Sequence, residues 1–342
     1  MAIEHEDTGF EGLLRSFRNL HVLIIGDLVL DRYWWGEASR LSPEAPVPVF
    51  LKQRETIRPG GAANSAMNVA ALGAKVHLVG IVGDDPEGTA LESALAAENI
   101  KTHFIRTSKR TTTKTRVISG SQHLVRIDEE EPAPIEPCVE TELLGALLPI
   151  LSKFDGIIIS DYAKGLLTPH LLSKLMESAR AHEVPTFVDP KVADCLRYHG
   201  ASILKPNRKE LEHLTKRSLC NVESTINAGV DLQRQLGGQT DILVTQGSDG
   251  MGFISSSGEI WYEPARAREV FDITGAGDTV LATFALARLA GALVPNALRL
   301  ASTAASVTVS RVGACSVAPA ELTSALRSFE LSNLSRLSPR PL

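Results

Sequence analysis

The chain has no membrane-length apolar run, no paired-cysteine pattern and no surplus of positive charge, and each absence removes a class of function. Its four cysteines, Cys138, Cys195, Cys220 and Cys315, stand far apart with no C-x-x-C between them. That spacing argues against a disulfide framework and for reduced thiols in a cytoplasmic protein. The apolar stretch after Asp278 is cut by Arg288, short of the roughly 20 residues that a membrane span needs. The acidic start, Met1 to Asp7, lacks the basic and apolar regions of a signal peptide. With 35 Lys and Arg against 40 Asp and Glu the net charge is −5. No nucleic-acid and no membrane partner is therefore expected, and an anionic substrate would have to be held by a few local cations. The nine histidines form no H-E-x-x-H pair. Also missing are G-x-x-x-x-G-K-[ST], the H-R-D set of protein kinases, internal repeats and low-complexity tracts.

What is present is an α/β rhythm. The runs Val22–Ile25, Val76–Val79, Gly156–Ile159, Thr186–Val188 and Asp241–Val244 are short, apolar and rich in β-branched residues, and helical patterns separate them. Strands apolar on both faces mean a mostly parallel sheet in a doubly wound α/β domain. Ligands should gather at the carboxyl ends of those strands, where Gly26-Asp27, Ser160-Asp161, Asp189-Pro190-Lys191, Lys205-Pro206-Asn207 and Thr245-Gln246-Gly247 stand. Two segments break the rhythm, residues 33 to 58 and 102 to 128, and both look like short antiparallel strands. Together they predict a small β lid. Exposed apolar strands need cover, so a homodimer through the lid is expected, burying Tyr33, Trp34 and Val117. The domain is taken as residues 21 to 330, with an N-terminal extension over 1 to 20 and a loose tail over 331 to 342.

One run carries chemistry: Asp272-Ile273-Thr274-Gly275-Ala276-Gly277-Asp278-Thr279, followed by an apolar helix. Gly275, Ala276 and Gly277 sit where a loop becomes a helix, so their amides can approach an anion at the positive helix end. A carboxylate there repels the phosphate that the amides attract. Asp278 makes sense as a general base taking the proton of an attacking hydroxyl. In isolation a capping acid after a tight turn would look the same. The spacing is no dinucleotide fingerprint, because Val280 stands where the third glycine belongs.

These residues, with Pro59-Gly60-Gly61-Ala62-Ala63-Asn64, resemble the ribokinase-like or PfkB family of carbohydrate kinases. Longer runs, Gly26 to Trp34, Ser42 to Val49, Ser160 to Gly165 and Val188 to Lys191, are similar to kinases of heptose 7-phosphate within it. The resemblance implies a ribokinase-like fold, an ATP-dependent kinase, ATP with Mg²⁺, and K⁺ as a further ion. By resemblance Asp278 is the base and Gly275, Ala276 and Gly277 form the anion hole. Asn207-Arg208-Lys209-Glu210 would hold the ATP phosphates, with Glu210 reaching Mg²⁺ indirectly; an N-cap with Glu three residues on would look alike. Thr245, Gly247 and Gly250 would lie along the nucleotide, and Asp272 near the monovalent cation. Asp31, Gly60, Gly61 and Asn64 would contact the sugar, beside Asp189. A sugar phosphate needs a second anion pocket, for which Arg116, Lys164 and Lys191 are candidates. Lys205 and Cys315 depart from the family pattern, at positions expected to lie away from the catalytic core. Many heptose kinases carry a further adenylyltransferase domain, so a chain of this length is expected to act as the kinase alone. Rival expectations are a kinase of another sugar and a silent sugar or nucleotide sensor, which would need no base.

Overall fold

The computed structural model describes residues 4–191, 194–266, 270–311 and 313–333. Its strands in chain order are β1 (His21–Gly26), β2 (Leu28–Leu41), β3 (Pro48–Gly61), β4 (Lys75–Gly83), β5 (Lys101–Thr107), β6 (Thr113–Ser119), β7 (Gln122–Glu129), β8 (Gly156–Ser160), β9 (Thr186–Asp189), β10 (Ile203–Leu204), β11 (Asp241–Thr245), β12 (Met251–Ile254) and β13 (Ile260–Glu263). The helices are α1 (Glu4–Ser16), α2 (Ala62–Ala71), α3 (Pro86–Ala97), α4 (Pro137–Leu147), α5 (Pro169–Ala181), α6 (Arg208–Thr215), α7 (Val222–Gln235), α8 (Ala276–Leu289), α9 (Val294–Thr308) and α10 (Pro319–Asn333).

A nine-stranded sheet runs β13-β12-β11-β10-β9-β8-β1-β4-β5 and is parallel from β11 to β5, with β12 and β13 added antiparallel at one edge. Successive side chains of a strand point to opposite faces. In β1, Val22 and Ile24 enter one core with Leu281, Phe284 and Leu298, whereas Leu23 and Ile25 enter the other with Leu172, Leu175 and Leu232. Such double burial explains why these strands read as unbroken apolar runs. From β1 the chain moves outward to β4 and β5, then returns to β8 and proceeds the other way. The order thus reverses between β1 and β8, which opens a crevice outside their carboxyl ends.

The lid is a four-stranded sheet, β3-β2-β6-β7, made of two antiparallel hairpins joined along a parallel β2–β6 pair. Two expectations change here. Residues 102–107, assigned to the lid from sequence, belong to β5, which pairs in parallel with β4 and forms the edge of the large sheet. Tyr33 and Val117, expected to await a partner subunit, are already 2% and 5% exposed within one chain. Tyr33 stacks on Trp35 and lies against Gly313, on the opposite lid face from Val117. The apolar residues left open on the Val117 face are Ile57, Val125 and Ile127.

The segment taken as an extension carries α1, whose Phe10 and Leu14 are buried in the first core together with Phe17. Most of the expected loose tail, from 334 on, lies outside the described residues. No described helix is long and apolar enough to cross a membrane.

Candidate active site

Helix α8 begins at Gly275, whose φ of +77° is left-handed and whose added Cβ would stand 2.7 Å from Asn64 Nδ2. Only glycine meets both demands at low cost. The Ala276 amide donates to Ile273 O, so the first-turn amides without a backbone acceptor among the described residues are those of Gly277 and Asp278. An anion at this helix end would meet those two amides rather than that of Ala276. Because α8 is buried on nearly every side, Asp278 in its first turn is itself buried. Its Oδ2 accepts from Asn64 Nδ2 at 2.6 Å and its Oδ1 from Ser65 Oγ at 3.1 Å. The Tyr162 hydroxyl donates to both oxygens, at 3.0 and 3.1 Å. Burial pushes the Asp278 pKa above the usual carboxylate value, against the opposing pull of Asn64, Lys205, Ser65 and Tyr162.

The double glycine explains how Asn64 and Ser65 arrive. At Gly60 a Cβ would meet Asp31 Oδ2 at 2.5 Å, and at Gly61, with φ +59°, it would meet Asp27 O at 2.4 Å. The chain therefore turns tightly out of β3 into α2, whose alanines let it pack closely on α8. Asn68 Oδ1 accepts from Thr279 Oγ1 at 2.8 Å across that contact. On this side buried Asp31 and half-buried Arg116 form an ion pair at 2.5 Å, and the Arg116 guanidinium lies 5.2 Å from the Tyr33 ring centre. Asp31, Gly60, Gly61, Asn64 and Arg116 are thus brought together. Lys164 stands in the loop after β8, its ammonium 2.7 Å from Glu130.

On the other side of Asp278 lies a cavity of about 870 Å³. Asn207 caps α6 and forms a capping box with Glu210, so the local reading of this tetrapeptide holds whatever else it binds. Arg208 bonds Gln246 Oε1 and pairs with Asp249, and Lys209 is exposed at the rim. Thr245 is bridged to Asn207, while Gly247 and Gly250 turn with φ of +59° and +97°. Lys191 is the misplaced candidate. Its ammonium pairs with Glu210 at 3.0 Å and lines this cavity, away from the Asp31–Arg116 cluster. The cause is sheet order: β9 delivers Lys191 beside β10 and the start of α6, not beside β1 and the lid.

Two residues at the centre were given no role from sequence. Lys205 ends up buried, 3.0 Å from Asp189 and 3.3 Å from a Cβ built on Gly277. Contrary to expectation, its position adjoins the start of α8, where Asp278 stands. Burial raises Asp189 to a pKa of about 7, although Lys205 pulls the other way. Tyr162 is the second, delivered by a loop whose amides at Tyr162, Lys164 and Leu166 all donate to buried Asp27. A Lys after a strand and a Tyr in a loop give no periodic signal, and only the fold brings them to Asp278.

Among the described residues no group of three or more His, Cys, Asp or Glu is placed to hold a metal ion. Asp272 instead joins two loops, accepting from Thr274 N and Oγ1 and from Gly313 N. Burial opposes its ionisation, but these bonds outweigh that effect and hold its pKa below the usual value.

The fold agrees with what known proteins show. The chain is 41% identical over 319 residues to the bifunctional protein HldE of Pelobacter propionicus, covering 92% of this chain and 65% of that protein's length. It superimposes on phosphofructokinase-2 from Escherichia coli in complex with potassium with a TM-score of 0.76 and 18% identity, covering 91% of this chain and 99% of the other. For Arabidopsis thaliana ribokinase complexed with ribose and ATP the TM-score is 0.72 at 20% identity, covering 90% and 99%. With residues 19–321 matching the pfkB family carbohydrate kinase profile, the chain belongs to that family of carbohydrate kinases.

Proposed function

We propose that this kinase transfers the γ-phosphoryl group of ATP to the anomeric O1 of D-glycero-β-D-manno-heptose 7-phosphate, giving the 1,7-bisphosphate, in the cytoplasm and on the way to ADP-heptose and the lipopolysaccharide core. The observation that carries the kinase chemistry is the buried Asp278 carboxylate, set between open amides facing a large cavity and the Asp31–Arg116 cluster. Asp278 takes the O1 proton, O1 bonds to the γ-phosphorus, and the electrons of the breaking P–O bond leave with ADP. The amides of Gly277 and Asp278, with the Lys205 ammonium beside them, offset charge on the moving group.

The cavity suits a nucleotide. Met251, Val280, Ala305 and Val309 line one part, and Gln246 adds a buried Nε2 with no protein partner. Mg²⁺ would neutralise charge on the ATP phosphates, reached by Glu210 indirectly because both of its oxygens are engaged by Lys191 and Asn207. K⁺ fits near Asp272 only as a guest of backbone carbonyls, since both carboxylate oxygens already accept bonds. For the sugar's own phosphate the cations on the Asp31 side are Arg116 and Lys164. The heptose assignment rests on the runs Gly26 to Trp34, Ser42 to Val49, Ser160 to Gly165 and Val188 to Lys191. The exposed Ile57, Val125 and Ile127 face of the lid is assigned to a second copy of the chain. A panel of heptose 7-phosphate, fructose, ribose and a hexose phosphate with ATP and Mg²⁺ tests the reading. A new anomeric phosphate on the heptose substrate is expected, and equal turnover of fructose or ribose would overturn the heptose assignment.

A further inference from the structure

The Asp278 carboxylate is ringed by side-chain donors. A carboxylate offers about four lone-pair sites, and three donor hydrogens serve them here: Ser65 on Oδ1, Asn64 on Oδ2, and the one Tyr162 hydroxyl within reach of both. For a sugar hydroxyl to reach one of these oxygens, the shared donor has to settle on the other. Asn64 and Ser65 cannot easily leave, because both are buried on α2, which is bound to α8 through the Asn68–Thr279 bond. Tyr162 differs in two respects. Its single O–H is shared between two acceptors, so neither bond has ideal direction, and it comes from a separate loop.

That loop is held firmly at its backbone. Asp27 takes three of its amides, Asp161 Oδ1 accepts from Ala163 N, and Asp161 Oδ2 accepts from the Tyr198 hydroxyl at 2.7 Å. Ala163, at φ +56°, sits in the left-handed region that non-glycine residues rarely adopt. A strained, many-bonded loop that delivers one phenol to one carboxylate points to a task for that phenol. Tyr162 also lines the large cavity, so its hydroxyl stands where the two substrates would meet.

We infer that Tyr162 is a positioning residue for the base: its hydroxyl bridges both oxygens of Asp278 in the sugar-free enzyme, keeps the carboxylate oriented and ionised, and gives up one oxygen to the incoming acceptor hydroxyl. The inference rests on Asp278 being the base. It accords with the charge balance, since burial raises the Asp278 pKa and the Tyr162 bond is one of the interactions opposing that. In the reaction the acceptor proton passes to the freed oxygen, while Tyr162 remains on the other and keeps its own proton.

The test is Tyr162→Phe beside Asp278→Asn, with kcat/KM for the sugar followed from pH 5 to 9 at saturating ATP. A hydrogen bond to a charged group is worth enough to move a pKa by about one to two units. For Tyr162→Phe the acid limb should therefore move up by about one to two pH units, with wild-type rates recovered to within about threefold above it. An acid limb that stays in place, or a loss that raising the pH does not recover, overturns the role given to Tyr162. Asp278→Asn separates this from the parent reading. If that variant keeps near-normal turnover, Asp278 is not the base and both fall; if it is inactive while the Tyr162→Phe profile is unmoved, only the Tyr162 inference fails.

Discussion

Replacing Lys205 by Met separates two roles that one ammonium can play. The residue is buried and 3.0 Å from Asp189, so it could be no more than a counter-ion. Removing one partner of a buried pair ordinarily costs about 3–5 kcal/mol, because a charge is left unpaired. Asp189 has an escape. Its pKa is already about 7 beside Lys205, so without the ammonium it simply keeps its proton at neutral pH. The expected loss of stability at pH 7 is therefore smaller, about 1–2 kcal/mol. The sign with pH follows from linkage. A carboxyl with a raised folded pKa loses stability as pH rises, and the wild type stops losing it once pH passes about 7. The variant, with Asp189 raised further, continues to lose it, so the gap should widen from pH 7 to 9. Catalysis is affected separately. The ammonium lies beside the open Gly277 amide, and loss of one preorganised charge-stabilising donor typically costs about 10²–10³ in kcat. Steady-state kinetics and urea unfolding on the same protein give both numbers. Turnover within tenfold of wild type at saturating substrates would show Lys205 to be a counter-ion alone, and an unfolding gap that narrows above pH 7 would refute the linkage.

Three further outcomes are expected. Asp278→Asn should lower kcat by about 10²–10⁴ with both substrates still bound, and a variant with near-normal turnover removes the base assignment. His77 is held neutral to a pKa of about 4 by burial, then by Lys101, His103 and His21, so unfolding pulls protons onto it below 6.5. Stability should thus be full above pH 6.5 and fall by about 2–3 kcal/mol toward pH 4, a slope that His77→Gln should flatten. Ile127→Asp, on the exposed lid face, should weaken a dimer seen by sedimentation at micromolar concentration; an unchanged dimer would move the interface elsewhere.

Much of the large sheet was legible because double burial leaves an unmistakable mark. The runs at 22–25, 76–79, 156–159, 186–188 and 241–244 lie inside β1, β4, β8, β9 and β11. β10, two residues long, and β13, exposed along most of its length, left no such trace, since strands so short or so open show no buried run. The edge strand β5 carries intermediate burial and polar ends, which is why it read as lid.

The sequence by itself determined the α/β class, the loop-to-helix turn at Gly275, the tight turn at Gly60-Gly61 and the presence of an acid at the start of α8. These are local properties: a run of β-branched residues, a glycine where a side chain cannot stand, a carboxylate near free amides. The tertiary structure alone decided which charges meet. Asn64 and Asp278 are 214 residues apart and Tyr162 and Asp278 are 116 apart, yet all three share hydrogen bonds. Likewise Lys191 went to Glu210 rather than to the sugar side, and Lys205 came to rest beside Asp189 and Gly277. A long charged side chain finds its partner through strand order and burial, and neither of those is written in its immediate neighbours.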